Sequence, residues 1–243
     1  MHEQLTRRII ARELAYEDWL GSAWLPSAGS VRRVLTWSAV TICGLGYLRE
    51  LARLGFGIGV TGTSFINLNA EQNLCSWFGT MVLFGCAFLL LTAGRRAKAF
   101  AQPRAWFWFV LSFAFVALSL DEASSVHESV MVVIQQRWHP TGAFRYAWTI
   151  PAVVLVPLFA TTSVPFQLSL PRSTALRFIA SGAVYVAGAL GCEMIEGMTD
   201  GSGLAFVLLY LLEETLEVVG SLLFLFAIMD HLQNPLLGTP GTQ

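Results

Sequence analysis

Long apolar runs separated by short polar connections set the architecture of this chain. Six runs, at about 34–56, 73–93, 105–127, 147–169, 176–198 and 204–230, each suffice for a helix across roughly 30 Å of hydrocarbon, which takes about 20 residues. The pattern predicts an all-α polytopic membrane helix bundle of six transmembrane helices, the third and sixth long enough to project beyond the bilayer. Ahead of the first run, residues 4–20 place Leu5, Ile9, Tyr16 and Leu20 on one helical face with Arg7, Arg8 and Arg12 off it, as in a helix lying on a membrane surface. The opening MHEQLTRRIIARELAYEDWL is charged throughout and lacks the apolar core of a cleavable signal peptide. The expected organisation is a cytoplasmic amphipathic segment over 1–30, a six-helix domain over 31–232 and a short tail over 233–243.

The basic residues between the runs fix the expected orientation. Eleven, namely Arg7, Arg8, Arg12, Arg32, Arg33, Arg95, Arg96, Lys98, Arg104, Arg172 and Arg177, fall on one side, and four, Arg49, Arg53, Arg137 and Arg145, on the other. The richer side reads as cytoplasmic, so both termini are expected there, in a multi-pass protein of a bacterial inner membrane. Trp37 and Trp106 then mark the inner interface and Trp77, Trp138 and Trp148 the outer one.

Two connecting features stand out. The external loop GIGVTGTSFINLNAEQ, Gly57 to Gln72, reads either as a lid or as a flexible loop whose Asn69 or Asn73 caps the next helix. The fourth run carries Pro151, Pro157 and Pro165, which predicts a kinked helix whose freed carbonyls need neighbouring helices or Thr161, Thr162 and Ser163.

Composition agrees with a membrane protein: 55% of residues are hydrophobic, 13% are charged and the mean hydropathy is +0.59. The net charge of −1 says little, because the charges are segregated along the chain. Cys43, Cys75, Cys86 and Cys192 show no CxxC or Cys/His spacing and read as small buried hydrophobes.

The acidic residues change the picture. From Phe178 onward there are seven of them and neither Lys nor Arg, and Glu213, Glu214 and Glu217 sit inside the last apolar run. A charge at the centre of a membrane helix costs about 2.5 to 3.5 kcal/mol, an expense that a purely structural helix does not normally carry. The third run ends SLDEASSVHESV, where continuous helix would put Asp121, Ser124, Ser125 and Glu128 on one face, His127 beside it and Glu122 about 100° away. Glu193 and Glu196 lie one turn apart at the end of the fifth run. A rise of about 1.5 Å per residue brings these acids to similar depths, which permits one cluster between the midplane and the outer leaflet.

Bound divalent metal, proton or cation transport, pairing with Arg49 and Arg53, and exposure at the outer surface are the competing ways to tolerate such a cluster. Asp121, His127, Glu128, Glu193, Glu213 and Glu217 are the expected ligands of a divalent cation, with Glu71, Glu122, Glu196, Glu214 and Arg49 in support. Several carboxylates with one imidazole suit Mn²⁺, Fe²⁺ or Zn²⁺. The paired Glu-x-x-His motifs of a di-iron bundle are absent, since Ser124 stands three before His127.

The strings EQNLCSWF at 71–78, DEASSVHE at 121–128, GCEMIEG at 191–197 and EETLEVVG at 213–220 resemble uncharacterised bacterial multi-pass membrane proteins with no assigned activity. The resemblance covers roughly residues 30–232 and implies a six-span integral membrane protein without supplying a reaction. Glu213 and Glu214 begin the Glu-Glu-x-x-x-Arg motif of CAAX-type intramembrane proteases, but Val218 replaces the Arg and the family's histidine motifs are missing. Ceramidase-like hydrolases use three histidines around zinc, where this chain offers His127 alone. LDEASSV from Leu120 and LEETLEV from Leu212 sit in corresponding spans of the two halves, as inverted repeats would. Three functions are compatible with these features: a metal-dependent membrane enzyme acting on a lipid or small apolar substrate, a proton- or cation-coupled transporter, and a structural subunit. The expected partners are the lipid bilayer and a lipid or small-molecule substrate, with no nucleic acid.

Overall fold

The computed structural model describes residues 27–233; the surface helix expected over 4–20 and the tail after residue 233 lie outside them. Contacts divide the chain into residues 1–36 and 37–243. Of the first unit only the opening turns of one helix are described, and the helix packing lies within the second.

The described residues form seven helices and no strand. They are α1 (Ala28–Phe56), α2 (Leu74–Ala99), α3 (Trp106–Ser124), α4 (Val126–Trp138), α5 (Thr149–Gln167), α6 (Arg172–Glu196) and α7 (Gly203–Gln233). Of these, α2, α3, α5 and α6 are long and apolar enough to cross a membrane. The remaining two expected spans, α1 and α7, are the longest helices, of 29 and 31 residues.

The third apolar run departs from the sequence pattern, because it is two helices rather than one. Ser125 adopts a left-handed backbone, φ 48° and ψ 47°, and ends α3. Asp121 secures the break: its carbonyl accepts the Ser125 N–H at 2.7 Å, and its carboxylate accepts the His127 N–H at 2.7 Å at the start of α4. A side-chain acceptor at that point satisfies a donor that the first helical turn leaves without a partner. The face shared by Asp121 and Glu128, which assumed continuous helix, therefore does not exist.

Within α6 the turn widens into a π segment over Ala187–Cys192, immediately before Glu193. It packs on α7. The two backbones come close because Gly188 and Gly220 lack side chains. A Cβ on Gly188 would lie 2.8 Å from the Glu213 carbonyl, and one on Gly220 would lie 2.6 Å from the Tyr185 nitrogen. Small residues at a crossing let helices approach to this degree. Elsewhere α2 packs on α3 and α7.

The loop between α1 and α2 is pinned rather than free. Leu68 is buried against Gly46 of α1, and Arg49 donates to Thr63 Oγ1 and Asn67 Oδ1, both at 3.1 Å. Asn73, not Asn69, caps α2, its Oδ1 accepting from the N–H groups of Cys75 (2.6 Å) and Ser76 (3.0 Å). In α5, Pro157 and Pro165 lie inside the helix. Thr161 bonds the Pro157 carbonyl at 2.9 Å and Thr162 the Leu158 carbonyl at 2.9 Å. Those are not the carbonyls four residues before each proline, so the threonines do not replace the lost bonds.

A candidate carboxyl cluster between four helices

The acids converge by way of the α6–α7 crossing. Because Gly188 admits the backbone of Glu213, the acidic turn of α7 faces Tyr185 and the π segment. From the opposite side α2 presents Gly79, where a Cβ would stand 3.3 Å from Glu122 Oε1. The result is a small cavity lined by Glu122 of α3, Tyr185 of α6 and Glu214 and Glu217 of α7, floored by Leu83 and Ser221. About 10 Å³ of it is open to the centre of a water-sized sphere, close to the lower limit for one water molecule.

Further acids surround this cavity. Glu214 lies beside Cys75 of α2. Glu196 lies beside Glu213, and its Oε1 is buried without a hydrogen-bond partner. The Tyr146 hydroxyl donates to Glu196 at 3.3 Å, and the Trp148 indole N–H donates to Glu193. Burial, and after it the nearby Glu196 and Glu193, push Tyr146 up to about 12, so it remains a donor.

Toward the outside the cluster meets the α3–α4 break. The Ser125 hydroxyl donates to the exposed Glu71 at 3.2 Å. His127 Nδ1 lies 3.0 Å from Asp121 Oδ2, and its ring packs on Trp148 with centroids 5.4 Å apart. Burial opposes its charge, but the Asp121 hydrogen bond and the field of Asp121, Glu193 and Glu71 outweigh this and raise His127 to about 9. His127 is therefore a cation at neutral pH, placed at the rim rather than in the cavity.

At the other end of the helices, aromatic side chains fill the interior. Trp108, 2% exposed, packs on Phe166 (5.0 Å), Phe178 (6.0 Å) and His231 (4.7 Å).

Several expected site residues take other positions. Glu122, expected about 100° away from the shared centre, lines the cavity, while Asp121 is turned to the α4 cap. Glu128 is exposed on α4. Arg49 does not neutralise the cluster, because it is paired with Glu50, which is 3% exposed and also held by Arg53 at 2.6 Å. Glu50 escaped the sequence reading although its signal was present: an acid flanked by Arg49 and Arg53 at one helical turn or less. The bond from the Tyr47 hydroxyl to the Leu211 carbonyl also went unseen, since 164 positions separate them. Among the described residues, no group of three or more His, Cys, Asp and Glu side chains has the arrangement of a metal site.

Over the described residues, fold and site define an all-α protein with four helices long and apolar enough to span a membrane and a buried carboxyl cluster between α2, α3, α6 and α7. The chain belongs to the family described as a domain of unknown function, DUF8692, whose model matches residues 38–232. No curated protein and no solved structure matches it.

Proposed function

We propose that this is a six-span inner-membrane protein with both termini cytoplasmic, and that it is a proton- or cation-coupled transporter whose carboxyl cluster is the loading site. The observation that carries the reading is the convergence of Glu122, Glu214 and Glu217 on one cavity without a Lys or Arg among its lining residues. Carboxyls this close in low dielectric cannot all be ionised, so the cluster must hold protons or a cation. The exposed Glu71 and the rim His127 supply an approach from one side, and the aromatic plug around Trp108 separates the cluster from the other. Helices α1 and α7, about 44 and 46 Å long at 1.5 Å per residue, are sufficient for the two remaining spans.

The test is flux into liposomes that carry the purified protein and a pH-sensitive dye. An imposed proton gradient, with and without Mn²⁺ outside, is expected to collapse faster with wild type than with Glu214→Gln or Glu217→Gln. An amide imitates a protonated acid, so both variants are expected to fold. No difference between wild-type and empty liposomes under either gradient would sink the transporter reading.

The carboxyl chemistry of the cavity lining is the ground for a second reading, a resident divalent cation, which Glu122, Glu214 and Glu217 would have to rearrange to hold. That reading places the protein among metal-dependent enzymes acting on a lipid or small apolar substrate. It expects stoichiometric Mn, Fe or Zn in detergent-purified protein, with metal and stability lost together in the Gln variants.

A further inference from the structure

The short helix α4 leaves an apolar stripe uncovered among the described residues. Val126, Val130 and Val133, at offsets of four and seven, share one face and are 44%, 39% and 68% exposed. The exposed polar residues Glu128, Ser129 and Gln136 stand roughly 100° around the helix from that stripe. A third side is turned to the protein, and there His127, Ile134 and Gln135 are less exposed. On that side the His127 ring packs on Trp148, and the Gln135 amide donates to the Arg145 carbonyl at 2.8 Å.

We propose that α4 docks on the lipid surface, with the Val126, Val130 and Val133 stripe set into the boundary between headgroups and acyl chains of the outer leaflet. The inference rests on the six-span reading, because it takes α3 as a span, but it does not depend on transport. Level is the first argument for lipid as the occupant. The 19 residues of α3 measure about 28 Å, which matches a hydrocarbon core of roughly 30 Å. The left-handed Ser125 therefore stands at the edge of that core, and α4 starts where the hydrocarbon ends.

Direction is the second. His127 and Gln135 are eight residues apart, about 12 Å along α4. Their partners Trp148 and Arg145 are only three apart, in a stretch coiled by bonds from the Thr149 N–H to the Tyr146 carbonyl (3.0 Å) and from the Ile150 N–H to the Ala147 carbonyl (3.2 Å). Three residues so coiled rise about 6 Å. The helix thus crosses the mouth of α5 and keeps near its level instead of running on along its axis. Continuity is the third. On α3, Trp106, Val110, Phe113, Val116 and Leu120 are exposed at intervals of three or four residues, a stripe that faces acyl chains in a six-span protein, and Val126 carries it past the break. Trp138, exposed at the far end of α4, has the ring type that collects at the membrane–water boundary. A helix at that level with one apolar and one polar side lies in the membrane plane.

The experiment uses the full chain as three variants, Phe113→Cys, Val133→Cys and Gln136→Cys, each labelled with a nitroxide and reconstituted in phosphatidylcholine liposomes. All three positions are exposed, so the labelled variants are expected to melt as wild type. The signal of the unsubstituted chain, from its own four thiols, is subtracted. Collisions with oxygen, which concentrates in lipid, are compared with those of a neutral nickel chelate, which stays in water. The oxygen-to-nickel ratio at position 133 is expected to be several times that at 136 and lower than that at 113. Equal ratios at 133 and 136, with 113 still in lipid, would overturn the docking of α4 and leave the six-span reading standing. A water-like ratio at 113 would sink the six-span reading and the docking with it. Exclusion of both reagents at 133 would put protein on the stripe, a second copy where the labels broaden one another, and overturns lipid as the occupant.

Discussion

Asp121 grips His127 at two points, taking its backbone N–H at 2.7 Å and facing its Nδ1 at 3.0 Å. The double contact holds the turn between α3 and α4, and it makes a charged imidazole part of the folded state. Because the folded His127 is raised to about 9 from an ordinary 6.5, its contribution is fully present below about pH 6.5 and is lost as pH rises through about 9. The side chains are 22% and 34% exposed, so screening limits the effect to the order of 1 kcal/mol. Melting of the wild type is expected to fall over that window. Asp121→Asn should melt lower at pH 6.5 and show a flatter profile; an unchanged slope would remove His127 from the linkage.

Arg49→Ala is expected to cost more than a surface substitution. It takes one of two cations from the buried Glu50 and breaks bonds to Thr63 and Asn67. Stranding a buried charge costs about 3 to 5 kcal/mol, here reduced because Arg53 remains. Arg137→Ala, at an exposed position of α4, is the comparison, and thermal unfolding in detergent decides between them. Equal shifts would leave Arg49 with no structural role.

Gly220→Ala should disrupt the α6–α7 crossing, since the added carbon would lie 2.6 Å from the Tyr185 nitrogen, and backbone cannot yield as a side-chain tip can. A loss of about 1 to 3 kcal/mol is typical of overpacking. Gly182→Ala, with nothing within 4 Å of the added carbon, is expected to melt as wild type. Similar melting of both variants would mean that the close approach does not hold the helices together.

Trp148→Phe keeps an aromatic ring for His127 to pack on but deletes the N–H that donates to Glu193. Leaving a fully buried acceptor without its donor costs about 1 to 3 kcal/mol, and the half-buried Glu193 sets the expected loss at the lower end. The variant should melt lower than wild type at neutral pH. If Trp148→Phe and wild type coincide, the indole N–H contributes nothing measurable.

The topology has its own test. Reporter fusions after Gln243 and within the loop 57–72 are expected to report opposite compartments. The same compartment for both would overturn the six-span reading.

Most of the helical framework follows from the sequence for a local reason. Apolar runs of helix length bounded by polar turns fix where helices begin and end, and the runs expected at 73–93, 147–169 and 176–198 correspond to α2, α5 and α6. That acids would gather in the interior was also legible, because Glu213, Glu214 and Glu217 lie inside an apolar run without a basic residue nearby. Which acids face one another was not legible. Azimuth along a helix is predictable only while the helix is continuous, and the left-handed Ser125 and the π segment at Ala187–Cys192 each reset it. Glu122 rather than Asp121 therefore lines the cavity, and Glu128 stands outside. Contacts between distant segments, such as Tyr47 with Leu211, arise from helix packing, and no spacing within the sequence encodes them.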